Sequence, residues 1–199
     1  GVEVVYTTLH AGGKFNTDNY KFSGGLHGVG ASVTNALSKW CNVTVYKGGK
    51  EYYIGFHSYT DDEGKIHSGI PVEPLKMIGK TDKSGTKVTF LPDEEMFGNI
   101  KFNFETICNR ARELAFLNKG LRIELNDVAS EKQEIYHYEG GISDFVNYLT
   151  ENKNRLFQKP IYFHGEDKNF DLEVAIIYCD GYTENSFSFV NNIPTIEGG

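Results

Sequence analysis

A chain of 199 residues, 39% hydrophobic and 14% aromatic, is long enough to enclose one sizeable core or two small ones and is too apolar for an intrinsically disordered segment. Its formal charge of −7 excludes a global basic footprint of the kind that draws proteins onto nucleic-acid phosphates, so any link to DNA is indirect. No run reaches the roughly 18 apolar residues of a membrane-spanning helix, no basic-then-apolar leader is present, and Cys41, Cys108 and Cys179 are too scattered for a disulfide framework or a CxxC metal site; a cytoplasmic location with no membrane partner is the expectation.

Residues 2–10 read as a helix, with Val2, Val5, Tyr6 and Leu9 three and four apart and no cap before them. With the equally abrupt ending at Gly198 and Gly199, this reads as a piece of a longer protein. Residues 12–30 follow, rich in glycine and short polar side chains and without periodicity, a length of loop that inside a compact domain is usually functional. Residues 31–40 turn helical, and Val33, Ala36, Leu37 and Trp40 fall on one side that should face a core. Strands at 43–46 and 52–56 pair as a hairpin around Gly48 and Gly49. A polar turn at 61–64 precedes strand-like residues near 66–77. Over 85–91 the alternation is clean: Thr86, Val88 and Phe90 share a face expected to be buried, and Lys87 and Thr89 share a wet one.

The strongest helical pattern covers 104–117, where Phe104, Ile107, Cys108, Ala111, Leu114 and Ala115 form a stripe that Asn118, Lys119 and Gly120 close. Strands at 121–125 and 134–138 complete an α/β layered domain with helices on one face of a mixed or antiparallel sheet. Tyr138, Glu139, Gly140 and Gly141 mark a boundary, after which a helix at 142–149, strands at 160–163, 172–178 and 186–190 and a turn at Asp180 and Gly181 begin a second domain. The division expected is 1–139 and 140–199.

Chemistry concentrates at residues 23–30, SGGLHGVG, which run straight into the helical pattern. Four glycines in seven residues bare the backbone N–H groups, and a helix start adds unpaired donors and the positive end of its dipole, a combination suited to a phosphate chain. Lys14 and Lys21 flank the loop as counter-charges, and Tyr20 is placed to stack on or hydrogen-bond a nucleoside. A Walker A loop would need Lys and Ser or Thr after Gly30, where Ala31 stands, and a dinucleotide fingerprint would directly follow a strand. The competing reading is a flexible linker. His27 invites a catalytic role because its ordinary pKa is near neutrality, but without a visible acidic partner it reads as a lid-positioning group. Lys47 reads as a solvated turn lysine and Glu3 as a surface charge.

The run LHAGGKFNTDNYKFSGGLHGVG at 9–30, with ASVTNALS after it, resembles the ATP lid of the ATPase subunits of bacterial type II DNA topoisomerases, gyrase B and its topoisomerase IV sister. SGTKVTF at 84–90, RELAFLNKG at 112–120, HYEGG at 137–141 and NNIPTIEGG at 191–199 extend the resemblance over nearly the whole chain. It implies an α+β fold: the C-terminal part of a two-layer sandwich of the GHKL (Bergerat) ATPase type, followed by the start of a transducer domain similar to ribosomal protein S5. It implies that Gly25, Leu26, His27, Gly28, Val29 and Gly30 wrap the phosphates of ATP, with Gly13 beside them. Lys14 is implied at the phosphate end, Tyr20 near the nucleoside, Thr86 in adenine recognition and Val5 in the adenine pocket, and Lys21 is counted with them as a flanking charge that binds ATP.

The family's general base, a glutamate, its Mg²⁺ ligand, an asparagine, and its adenine-reading aspartate would all precede Gly1, and a γ-phosphate lysine would follow Gly199. The resemblance therefore places no catalytic or metal-ligating residue within the chain, which by itself is expected not to hydrolyse ATP. In the parent protein it implies ATP with Mg²⁺, self-dimerisation of the ATPase region on ATP binding, the gyrase A subunit in an A2B2 heterotetramer, and DNA through that holoenzyme. The alternatives are a topoisomerase IV subunit, another GHKL ATPase, and a non-enzymatic ligand-binding module; RELAFLNKG and HYEGGI lean toward gyrase.

Overall fold

The computed structural model describes residues 1–11, 28–168 and 170–195 and divides into two compact units, residues 1–101 and 102–199. In the first unit, α1 (Val2–Thr7) is shorter than its apolar spacing predicts, and His10 beyond it takes a positive φ of 61°. Then come α2 (Gly30–Ala36), β1 (Ser38–Lys47), β2 (Lys50–Thr60), β3 (Ile66–Pro71), β4 (Lys76–Lys80), β5 (Gly85–Pro92) and the single turn α3 (Glu94–Phe97). The sheet is antiparallel in the order β3-β2-β1-β5, and β4 shares the edge of β2 with β3. Gly48 and Gly49, at φ 60° and 74°, make the two-residue turn that sets Lys47 opposite Lys50 and with it the register of the whole hairpin.

The helix expected over 31–40 stops at Ala36, and Trp40 lies in β1. From Trp40 onward β1 is flanked on both sides, by His57 of β2 and Leu91 of β5 at that level, so the sheet claims backbone that helical spacing alone assigned to α2. The buried face of α2 is also different: Ser32 and Asn35 are buried, whereas Val33 is 40% exposed.

Cys41, Val43, Ile54 and Phe56 form the first core, with Val2, Tyr6 and Val45 packed on it and the Tyr6 and Phe56 rings stacked 5.7 Å apart. Thr86, Val88 and Phe90 stand opposite Val45, Val43 and Cys41, which confirms the shared face. Their burial does not follow: among the described residues β5 is the last strand of its sheet, and Thr86, Val88 and Phe90 are all exposed.

In the second unit, α4 (Phe104–Leu117) occupies the range its stripe predicts, capped by Asn103, whose side chain accepts from the Thr106 N–H. It packs on the hairpin of β6 (Arg122–Asp127) and β7 (Lys132–His137), burying Cys108, Ala111, Ala115 and Tyr136. Ile107, assigned to the stripe, is exposed, and Phe116 is buried instead because α5 (Ile142–Leu149) lies on that side. Phe116 stacks on Tyr138 at 3.7 Å and on Phe145 at 5.1 Å. Arg112 lies over the rings of Tyr136 and Tyr148, at 5.0 and 5.1 Å, and donates to their hydroxyls at 3.2 and 2.7 Å. These contacts place α4 in the same compact unit as α5, so compactness divides the chain ahead of Gly140. Arg155 closes α5 by donating to the carbonyls of Asn147 and Thr150. The hairpin of β8 (Ile161–Glu166) and β9 (Asp171–Ile176) follows. Of the strand expected over 186–190, only β10 (Phe189–Val190) pairs, with β11 (Ile193–Pro194) across Asn191 and Asn192.

Candidate nucleotide site

Among the residues assigned from sequence, Gly13, Lys14, Tyr20, Lys21, Gly25, Leu26 and His27 lie outside the described residues. The structure does place the exit of the glycine-rich run. Gly28 has φ 61°, a conformation that disfavours any side chain, and turns the backbone into Val29 at the mouth of α2. The Val29 side chain makes no capping bond, and the first intrahelical acceptor is its carbonyl, 2.9 Å from the Val33 N–H. By helix geometry the N–H groups of residues 30–32 have no intrahelical acceptor, and the dipole's positive end coincides with them. Gly30 has an ordinary φ, and a Cβ built on it meets nothing within 4 Å. Among the described residues, neither packing nor backbone conformation requires a glycine there.

Val5 lies on α1, in a helix that contacts α2, and is 37% exposed. Thr86 lies on the core side of edge strand β5, opposite Val45. The structure thus packs the Val5 helix against α2, with Asn35 bonded to the Tyr6 carbonyl, and puts Thr86 on the sheet face that α1 covers at Val2 and Tyr6. Glu3 is exposed in the first turn of α1, and Lys47 is exposed beside the Gly48 turn, in keeping with their readings as surface charges. Burial raises the pKa of the Cys41 thiol and, as the larger of its causes, that of the Tyr6 phenol, which keeps both neutral in the core.

Asn35 was not singled out by sequence. It is 1% exposed, and its Nδ2 donates to the carbonyl of Tyr6 in α1 and that of Gly69 in β3, each at 3.0 Å. Gly69, at φ 61°, sits at an irregularity of the β2–β3 pairing, where its N–H donates to Ser58 Oγ at 2.9 Å. Ser58 Oγ donates to the Ser38 carbonyl at 2.8 Å, and Ser38 Oγ donates to the Thr34 carbonyl at 2.6 Å. Beside this ring is a cleft of about 230 Å³ lined in part by Glu3, Tyr6, Ser32, Asn35 and Gly69. The sequence signal for it is slight: Ser32 and Asn35 are three residues apart, a polar pair at helical spacing inside an otherwise apolar pattern.

Among the described residues no three His, Cys, Asp or Glu side chains gather to hold a metal ion, and no helix is long and apolar enough to cross a membrane. The Mg²⁺ that the resemblance implies has no ligand set within them.

The family model described as DNA gyrase B matches residues 141–199. The chain is 51% identical over its whole length to the DNA gyrase B protein of Clostridium acetobutylicum and spans 30% of that protein. Along its whole length the chain is similar to DNA gyrase B. It is also 51% identical over its whole length to the B protein of DNA topoisomerase 4 from Enterococcus faecalis, spanning 28% of it. The chain therefore covers less than a third of the length of these two relatives. Its fold superposes on the crystal structure of the 43K ATPase domain of Thermus thermophilus gyrase B in complex with an aminocoumarin, with a TM-score of 0.79 and 36% identity, covering 100% of this chain and 48% of that one. The α+β class expected from sequence agrees with that superposition and with the antiparallel sheets.

Proposed function

We propose that this chain is the phosphate-gripping part of the ATP-driven subunit of a type II DNA topoisomerase, and that its parent protein couples ATP hydrolysis to DNA strand passage and negative supercoiling. The observation that carries the reading is the turn at Gly28, left-handed and leading into a helix start that the Val29 side chain does not cap, beside a glycine whose missing Cβ no described residue requires. Residues 25–30 donate main-chain N–H groups to the triphosphate, Gly13, Lys14 and Lys21 complete its surroundings, and Tyr20, Val5 and Thr86 attend the nucleoside. Residues 1–139 are then the C-terminal part of the ATPase domain and 140–199 the start of the transducer.

Phosphoryl transfer needs water, metal and γ-phosphate aligned, with charge stabilised from several directions, and this chain supplies one of them. Other parts of the same protein supply the base and the Mg²⁺ ligands. ATP binding orders the lid and closes two copies as a clamp on DNA, and the nucleotide state passes to the gyrase A subunit in a cytoplasmic A2B2 assembly.

The test is a crystal of the full-length protein soaked with a non-hydrolysable ATP analogue. N–H groups of residues 25–30 within hydrogen-bond distance of the β- and γ-phosphates uphold the proposal, and that stretch turned away from the phosphates refutes it. The equal identity to a topoisomerase 4 protein supports decatenation as a second reading. Relaxed plasmid and ATP, given the purified full-length protein and its partner, separate the two: gyrase introduces negative supercoils.

A further inference from the structure

We propose that Asn35 is a positioning residue for the phosphate-binding turn: by donating its two amide hydrogens to Tyr6 O and Gly69 O it fixes the start of α2 against α1 and the sheet. This rests on the reading that residues 25–30 grip the triphosphate. Asn35 is two turns or less from every donor at the start of α2, so a tilt of this seven-residue helix is transmitted directly to the N–H groups of residues 30–32. Backbone bonds within α2 cannot resist such a tilt, since they hold the helix together without tying it to anything else. Asn35 reaches both neighbouring elements from one side chain, and it is buried, so water does not compete for its bonds.

The ring from Asn35 through Gly69, Ser58 and Ser38 back to Thr34 closes on α2 itself, linking the helix to β1, β2 and β3 through four hydrogen bonds. Gly69 is a required member. Its φ of 61° suits glycine, and a Cβ there would stand 2.5 Å from Asn35 Nδ2. The pin is therefore built from both sides, by an asparagine on the helix and a glycine on the strand.

The test uses the full-length protein, with binding of a non-hydrolysable ATP analogue and of adenosine followed by calorimetry. Asn35→Asp keeps the shape but turns an acceptor toward two carbonyls; Gly69→Ala presses on the same pin from β3 and carries the comparison if the first variant does not fold. Each is expected to weaken the analogue about tenfold, the effect of one or two lost hydrogen bonds, and adenosine less than about twofold. Equal weakening of both ligands, unchanged affinity for both, or a fall only in the number of binding sites overturns the positioning role. An unsubstituted protein that binds adenosine but gains nothing from the phosphates overturns the phosphate-grip reading, and this proposal with it.

Discussion

Replacing Gly30 with alanine separates ligand demand from structural demand. Gly30 has no left-handed φ, begins α2, and a Cβ on it meets no atom of the described residues within 4 Å, so nothing described in the fold resists the methyl group. The substitution lowers the entropy of the unfolded chain and favours helix, giving between zero and about 1 kcal/mol of added stability. Binding moves the other way. A methyl group at the root of the cradle displaces a phosphate from one or two N–H donors worth about 1.5–3 kcal/mol each when the acceptor is charged, which predicts ATP affinity lower by about tenfold to a hundredfold or more. Gly28→Ala is the control: at φ 61° it costs on the order of 1 kcal/mol of stability before any ligand is present. Thermal unfolding and calorimetric titration of the full-length protein with a non-hydrolysable ATP analogue measure both quantities. A Gly30→Ala protein that binds the analogue with unchanged affinity would refute the inference that this glycine leaves room for phosphate.

Phe116→Ala removes a ring that is 1% exposed and stacked on Tyr138 and Phe145, and is expected to cost about 3–5 kcal/mol, read as accelerated hydrogen exchange through α4 and α5. Arg155→Ala uncovers the Asn147 and Thr150 carbonyls at the end of α5; a loss of about 1–3 kcal/mol confined to that helix is expected, and uniform loss of protection would contradict the capping role. Tyr162 donates to Glu173 at 2.5 Å, and that bond to a carboxylate, then burial, holds its pKa up at about 12. Because the folded pKa is raised, the contribution to stability is present below the ordinary tyrosine range and fades as pH rises toward 12; Glu173→Gln should shift the ultraviolet titration back down. Asp61 has its pKa lowered, first by the hydrogen bond from His67 and then by the Lys65 N–H, so its contribution is present above the ordinary aspartate range and is lost as pH falls through the lowered value. In His67→Ala its carboxyl, followed by NMR, should titrate at higher pH, and an unmoved titration would disprove the assignment.

Local pattern was enough for α4 and α5, because each has three or four apolar contacts per two turns and a turn or cap at each end, and for the β1–β2 hairpin, because Gly48 and Gly49 permit one kind of turn and that turn sets the register. The Gly28 turn into a helix was also legible, since a bare backbone followed by helical spacing needs no distant partner to be recognised. Three features required the folded chain. Helix α2 ends at Ala36 because β2 and β5, pairing on either side of β1, claim backbone that helical spacing assigns to α2, a contest with segments remote in sequence. Thr86, Val88 and Phe90 share a face as their alternation says, but alternation carries no information about whether a strand lies at the edge, as β5 does among the described residues. Asn35 owes its role to Tyr6 and Gly69, 29 and 34 residues away, because a hydrogen bond is decided by where two atoms meet and not by how a residue is spaced along its own helix.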